Sequence, residues 1–230
     1  MKRLVTTAIV LARTDFKEAD RILTVITPEQ GKLRILAKAV RKVKSKLAGG
    51  IELLSVNQLT LIVGRGEILT LISSRLEHPF SNIVRDIDRT MLSYEILKRI
   101  NKVTEDNADS EYYQLTERAL SALDNMALSL PTIELWFGMQ LLKISGHAPN
   151  LRTDVDDKHL SADSRYEFSV GDMAFVVKPS GHYRPNDIKV LRLAHRAATP
   201  DIISNVTGAD EVAPRLLPLV KTILKHQLHI

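Results

Sequence analysis

"RILTVITPEQGKLRILAKAV", residues 21–40, is the stretch whose reading decides the fold. Ile22, Thr24 and Ile26 alternate with Leu23 and Val25, the period of an extended strand. Glu29, Gln30 and Gly31 supply a turn, and "GKLRILAKAV" starts at once. The same period runs outward in both directions. Upstream, "LVTTAIVLART" sets Thr7, Ile9, Leu11 and Arg13 against Ala8, Val10 and Ala12. Downstream, "IELLSVNQLTLIV" is long and β-branched, and "GRG" at 64–66 turns it into "EILTLISSRLE". Five strands joined mostly by tight turns predict a small antiparallel barrel, an arrangement that leaves no free sheet edge.

After "HPFSN" at 78–82 the period changes to that of helices. Ile87, Met91, Tyr94 and Leu97 predict one helix face, and Leu115, Ala119, Leu123 and Met126 the stripe of a second helix. Asp109 or Ser110 is placed to cap the second helix. Pro131 opens "PTIELWFGMQLLKISG", apolar on nearly every side, which belongs in the middle of a bundle and stops at Gly146. Residues 147–185, rich in Asp, Gly, Pro and Ser, hold the short β-like pieces "RYEFSV" and "MAFVV". Helices then resume, with Thr199 a cap before Pro200, Pro214 the start of the last helix and Pro218 a kink in anything begun earlier. The expected architecture is α+β: a barrel over 1–80, then an all-α helical domain over 81–230, interrupted by a small ribbon at 147–185.

Charge divides the chain in the same place. Residues 1–80 carry fourteen Lys or Arg against seven Asp or Glu, whereas 81–230 carry eighteen against twenty. The excess concentrates in "KAVRKVKSKLAGG", residues 38–50, where Lys38, Arg41, Lys42, Lys44 and Lys46 precede two glycines. A lysine run of this kind is commonly a solvated loop. Set between two strands of a barrel, it also concentrates positive potential where a row of phosphates could lie, with binding that weakens steeply in salt. Arg13, Lys32, Arg34 and Arg65 extend the expected track. Aromatic residues are scarce in this third, only Phe16 and Phe80, so contacts to the sugar–phosphate backbone are expected over base stacking.

Other chemistry is thin. The chain has no cysteine, which removes thiol nucleophiles, disulfides and cysteine zinc sites. No G-x-S-x-G, H-E-x-x-H or phosphate-cradling glycine loop occurs. Asp154, Asp156 and Asp157 read as a solvated acidic loop, and His226 and His229 as helix-terminal histidines. No apolar run reaches the length of a membrane span, and no signal peptide is formed at the N-terminus, so a soluble cytoplasmic protein is expected.

Two stretches carry a wider pattern. "KEADRILTVITPEQGKLRILAKAVRKVKSKLAGGIELLS", residues 17–55, resembles the hallmark of the RecO family of recombination mediators, and "ELWFGMQLLKISGHAPNL", residues 134–151, is similar to that family's central helix and its exit. The resemblance implies an OB-fold followed by a helical domain and no enzyme activity; no cofactor is expected. It implies binding of single- and double-stranded DNA, annealing of complementary strands, and, with RecR, help in displacing single-strand-binding protein for the recombinase. It also implies a groove for the acidic, apolar C-terminal tail of single-strand-binding protein, for which Lys98, Arg99 and Arg118 are candidates. Two departures stand out. Many members hold zinc through two C-x-x-C pairs, whose positions fall here on Asp154, Asp157, Lys178 and Gly181, so that metal site is expected to be lost. A substitute from Asp154, Asp157, His159 and His182 is conceivable, a metal-free ribbon the commoner outcome. The family's glycine after "A-K" is Ala39 here. The competing reading is a protein–protein adaptor whose helical half does the work, with the Trp136–Phe137 helix as docking stripe or, more ordinarily, as core.

Overall fold

The computed structural model describes residues 2–42, 51–64, 68–106 and 108–230. The chain forms two compact units, Met1–Asn125 and Met126–Ile230.

In the first unit, β1 (Lys2–Phe16), β2 (Asp20–Thr27), β3 (Gly31–Ala37), β4 (Ser55–Val63) and β5 (Leu69–Pro79) close into a barrel in the order β1-β2-β3-β5-β4. All pairings are antiparallel except β3 with β5, where Ile35 and Leu36 run parallel to Leu69 and Thr70. This closed five-strand order is that of the OB-fold. The turn into β3 is made as the residues dictate: Gly31 adopts φ +62°, and the Thr27 hydroxyl accepts from Gln30 N and donates to Gly31 O. Alternation then sorts the side chains. Ala8, Val10, Leu23, Val25, Ile35, Ala37, Leu59 and Leu61 fill the interior. Mid-β1 is buried on both faces, from Ala8 to Leu11, because α1 (Ile87–Val103) and α2 (Ser110–Asp124) pack on the strand from outside. That packing is why compactness divides after Asn125, whereas the barrel itself ends near residue 80 as the period change predicts.

α1 corrects one expectation. Of the apolar face read from its spacing only Leu97 is buried; Ile87, Met91 and Tyr94 are 78%, 59% and 44% exposed. The buried face is instead Arg89, Ser93, Ile96, Leu97 and Ile100. Arg89 is the reason. Its guanidinium donates to the carbonyls of Leu123 (2.9 Å) and Asn125 (3.1 Å), closing the end of α2 with a positive charge. A buried arginine reads as a solvent residue, so the helix face was turned the wrong way. On α2, Leu115, Ala119 and Leu123 are buried as expected, but Met126 lies past the helix end and is exposed.

The second unit is built on α3 (Leu130–Ile144), which is buried nearly all round and has Trp136 and Phe137 in the core. Ser129 caps it and Gly146, at φ +76°, ends it. Gly138 allows α6 (Ala209–Leu228) to approach: a Cβ there would stand 2.6 Å from Val220 Cγ1. α6 overturns the expected proline start. It begins at Ala209, after the N-cap Gly208, and carries Pro214 and Pro218 inside. Both prolines are on the exposed side, where the carbonyls they free can be hydrated, while Ala213, Leu216, Leu219, Val220 and Ile223 keep the buried face regular. α4 (Pro185–Arg196) and the short α5 (Asp201–Ser204) complete the helices.

Between α3 and α4, β6 (Tyr166–Ser169) and β7 (Ala174–Val177) pair as a hairpin. Its centre is Phe175, whose ring makes edge contacts with Tyr166, Phe168 and Tyr183 at centroid distances of 6.1, 5.1 and 5.8 Å.

Candidate nucleic-acid interface

β1 pairs with β4 only as far as Ile9; beyond it β1 and β2 continue as an arm whose register runs to Phe16 and Asp20. Strand alternation gives this arm two faces. Arg13 stands opposite Leu23, and Arg21 opposite both Asp15 and Ala37, so Arg13, Asp15 and Arg21 continue the inward face past the mouth of the barrel. The turn after β3 comes to the same end. Ala39 adopts φ +55°, its N–H donates to Asp20 Oδ1 (2.7 Å), and Arg41 N donates to Ala19 O (3.0 Å). Alanine thus holds the left-handed conformation for which the family pattern has glycine. Backbone bonds of this kind fix where Lys38, Arg41 and Lys42 leave the chain, and all three are exposed.

Carboxylates share the mouth. Asp15 accepts from Arg21 Nε at 2.8 Å and lies 3.5 Å from Arg41 Nη1; Glu52 holds Arg13 at 2.6 Å. The Arg21 hydrogen bond, with the nearby charges of Arg41, Arg21 and Arg13, keeps the Asp15 carboxyl below its usual range despite partial desolvation. Exposed pairs of this type add little stability, so a phosphate can take a carboxylate's place on each guanidinium.

The expected track is only partly gathered here. Arg13 and Arg41 meet at the mouth around Asp15, with Lys38 and Lys42 exposed on the same turn as Arg41. Lys32 does not: its ammonium donates to Asn101 O (3.2 Å) and to Thr104 O, closing the C-terminus of α1. Arg34, on the same face of β3 as Lys32, is exposed on the outer side of the sheet. Lys44, Lys46 and Arg65 lie outside the described residues. Arg21 and Lys17 were missed. Arg21 could have been found from the hairpin register, which sets it against Asp15; Lys17 sits at the arm's tip with its ammonium 5.4 Å from the Phe16 ring centroid.

Of the candidate partner residues, Lys98 is exposed one turn beyond Tyr94, so Ile87, Met91, Tyr94 and Lys98 form one outward stripe on α1. Arg99 is half-buried and Arg118 is exposed on α2.

The ribbon residues do not fit a metal. Asp154 is buried, and its Oδ1 accepts from the N–H groups of Asp156 (3.0 Å) and Lys158 (2.9 Å), which builds a turn. Gly181 packs so closely on Tyr166 that a Cβ would stand 2.4 Å from its backbone carbonyl. His182 pairs with Glu167 at 2.7 Å, a bond that lowers the Glu167 carboxyl from its ordinary value. Among the described residues no three His, Cys, Asp or Glu side chains are close enough to hold an ion, nor is any helix long and apolar enough to cross a membrane.

Two family descriptions match the chain: "Recombination protein O N terminal" over residues 1–80 and "Recombination protein O C terminal" over 85–230. The chain belongs to the recombination protein O family. Among its relatives are proteins named DNA repair protein RecO from Rhodopirellula baltica (33% identical over 144 residues, 62% of this chain and 53% of the relative), Dehalococcoides mccartyi (36% over 149 residues, 64% and 58%) and Acetivibrio thermocellus (30% over 167 residues, 72% and 66%). The alignments span between half and two thirds of those RecO proteins.

Proposed function

We propose that the chain is a DNA-binding recombination mediator that acts in the cytoplasm and without catalysis. The barrel mouth holds single and double strands by their phosphates and anneals complementary strands. With RecR, the protein helps a recombinase onto single-stranded DNA coated by single-strand-binding protein. The observation that carries this reading is the turn at 38–42, pinned by backbone bonds to the β1–β2 arm, where Lys38, Arg41 and Lys42 adjoin Arg13 and Arg21. Lys44 and Lys46 continue the same run in sequence.

The test is an anisotropy titration of the full chain and its Lys38→Ala/Arg41→Ala/Lys42→Ala variant on single- and double-stranded DNA over a range of salt. Losing three phosphate contacts lowers affinity for every sequence and reduces the log–log salt slope by about 2–3. An unchanged slope would refute the reading.

A second reading, an adaptor that works through partner proteins, draws on the outward stripe of Ile87, Met91 and Tyr94 ending at Lys98. An acidic, apolar peptide such as the tail of single-strand-binding protein suits its chemistry. If the adaptor reading holds, the triple barrel variant retains repair activity while Met91→Asp/Tyr94→Asp loses it.

A further inference from the structure

In the second unit, the C-terminal ends of α3 and α4 converge on the segment 148–152 and enclose a cavity of about 350 Å³. Its walls carry Lys143 from α3, Arg152 from the connecting segment, and Arg192, His195 and Arg196 from α4. No acidic side chain lines it, and among the described residues none of the four lysine and arginine side chains makes an ion pair. Helix C-termini attract cations, which accounts for Lys143, His195 and Arg196 in the last turns of their helices. It does not account for Arg152 and Arg192. Arg192 Nε donates to Leu151 O at 2.6 Å, which fixes its guanidinium plane and leaves the Nη groups for another acceptor. His195 Nδ1 is buried without a hydrogen-bond partner. Bringing so many like charges together costs free energy that an anion recovers.

We propose that this cavity is a phosphate-binding site, taking the phosphoryl group of a nucleotide, either free or as one unit of a strand. Guanidinium forks match the tetrahedral oxygens of phosphate and bind them in pairs. Four positive charges suit a ligand of two or three negative charges better than a single carboxylate. Ala148, Pro149 and Leu151 give the cavity an apolar side for a sugar or base. These observations are independent of the barrel mouth.

Calorimetric titration of the full chain tests the site, in the Lys38→Ala/Arg41→Ala/Lys42→Ala background so that the barrel does not dominate. The probes are inorganic pyrophosphate, dADP and an oligothymidylate. Arg152 and Arg196 are exposed, and among the described residues their side chains make no hydrogen bond, so Arg152→Ala/Arg196→Ala leaves the packing intact. Pyrophosphate binding at one site per chain, weakened about tenfold or more in that variant and partly restored by Arg152→Lys/Arg196→Lys, is the expected result. Lys225→Ala, on the exposed side of α6, leaves it unchanged. Tighter binding of dADP than of the oligonucleotide identifies a free nucleotide as the source; the reverse order identifies a strand. The proposal is overturned if pyrophosphate does not bind, or if binding is the same in the double alanine variant.

Discussion

The two cationic clusters of this chain are built on opposite principles. At the barrel mouth every arginine has an acid beside it: Arg21 and Arg41 share Asp15, and Arg13 holds Glu52. In the helical unit Arg152, Arg192 and Arg196 face a cavity with no acid in its lining. The first cluster is a solvated surface on which a long polyanion would exchange for weak local partners under salt control. The second is a half-open cleft whose like charges are gathered at a cost, and a small, compact anion would suit it. What sets them apart is what holds each in place. The mouth hangs on backbone bonds between two turns. The cavity's connecting segment is tied instead to the ribbon hairpin, Asn150 N donating to Met173 O (2.7 Å) and Val155 N to Phe175 O (3.0 Å).

Phe175→Ala is the harshest way to break that contrast. It removes a fully buried ring that three other rings contact, which costs about 3–5 kcal/mol. Chemical denaturation followed through Trp136 reports the loss in the helical unit. Phosphate binding at the cavity should fall with it, while DNA binding by the barrel persists. Equal loss at both sites would show that the two clusters are one cooperative structure.

A milder change sharpens the contrast from the other side. Asp15→Asn/Glu52→Gln removes the acids that compete at the mouth. DNA affinity at low salt should rise by a few-fold, because Arg13, Arg21 and Arg41 are released for phosphate. Were the arginines only structural partners of those acids, the same variant would lose stability and gain no affinity. Titration by anisotropy beside a thermal melt separates the two outcomes.

How far the sequence could be read follows from the same physics. The strands were legible because short β-branched, apolar stretches such as residues 22–26 and 33–37 are cut by turn residues, and the basic turn because its charges adjoin along the chain. The face of α1 was not legible. Arg89 and Ser93 are buried there through bonds to the end of another helix, a fact written in no local period. Lys32 was misplaced for a like reason, since its two acceptors lie about seventy residues away. The cavity cations were invisible as a group: Lys143, Arg152 and Arg196 are separated by whole elements and meet only when α3 and α4 pack. The absence of the family's cysteine ligands was legible, but the aromatic cluster at the ribbon's centre was not, because its rings come from both strands and from Tyr183 beyond them.

The smallest effect concerns His195, the one group at the cavity that can change its charge near neutral pH. Burial first, then the charges of Lys143 on α3 and Arg196 on its own helix, hold its imidazole below the ordinary value of 6.5. Arg192 and Arg152 line the same space, and no carboxylate does. As pH falls below 6.5 the unfolded chain therefore takes up the proton before the folded one. The stability that the neutral imidazole permits is complete above pH 6.5 and is lost as pH falls through the folded-state value. Thermal melts of the wild type and of His195→Gln should run parallel above neutrality and diverge on the acid side, the variant losing less. Pyrophosphate in the cavity would favour the imidazolium, so adding it should narrow the gap between the two curves. Curves that stay parallel to pH 5 with and without pyrophosphate would mean that His195 does not sense the cavity's charge at all.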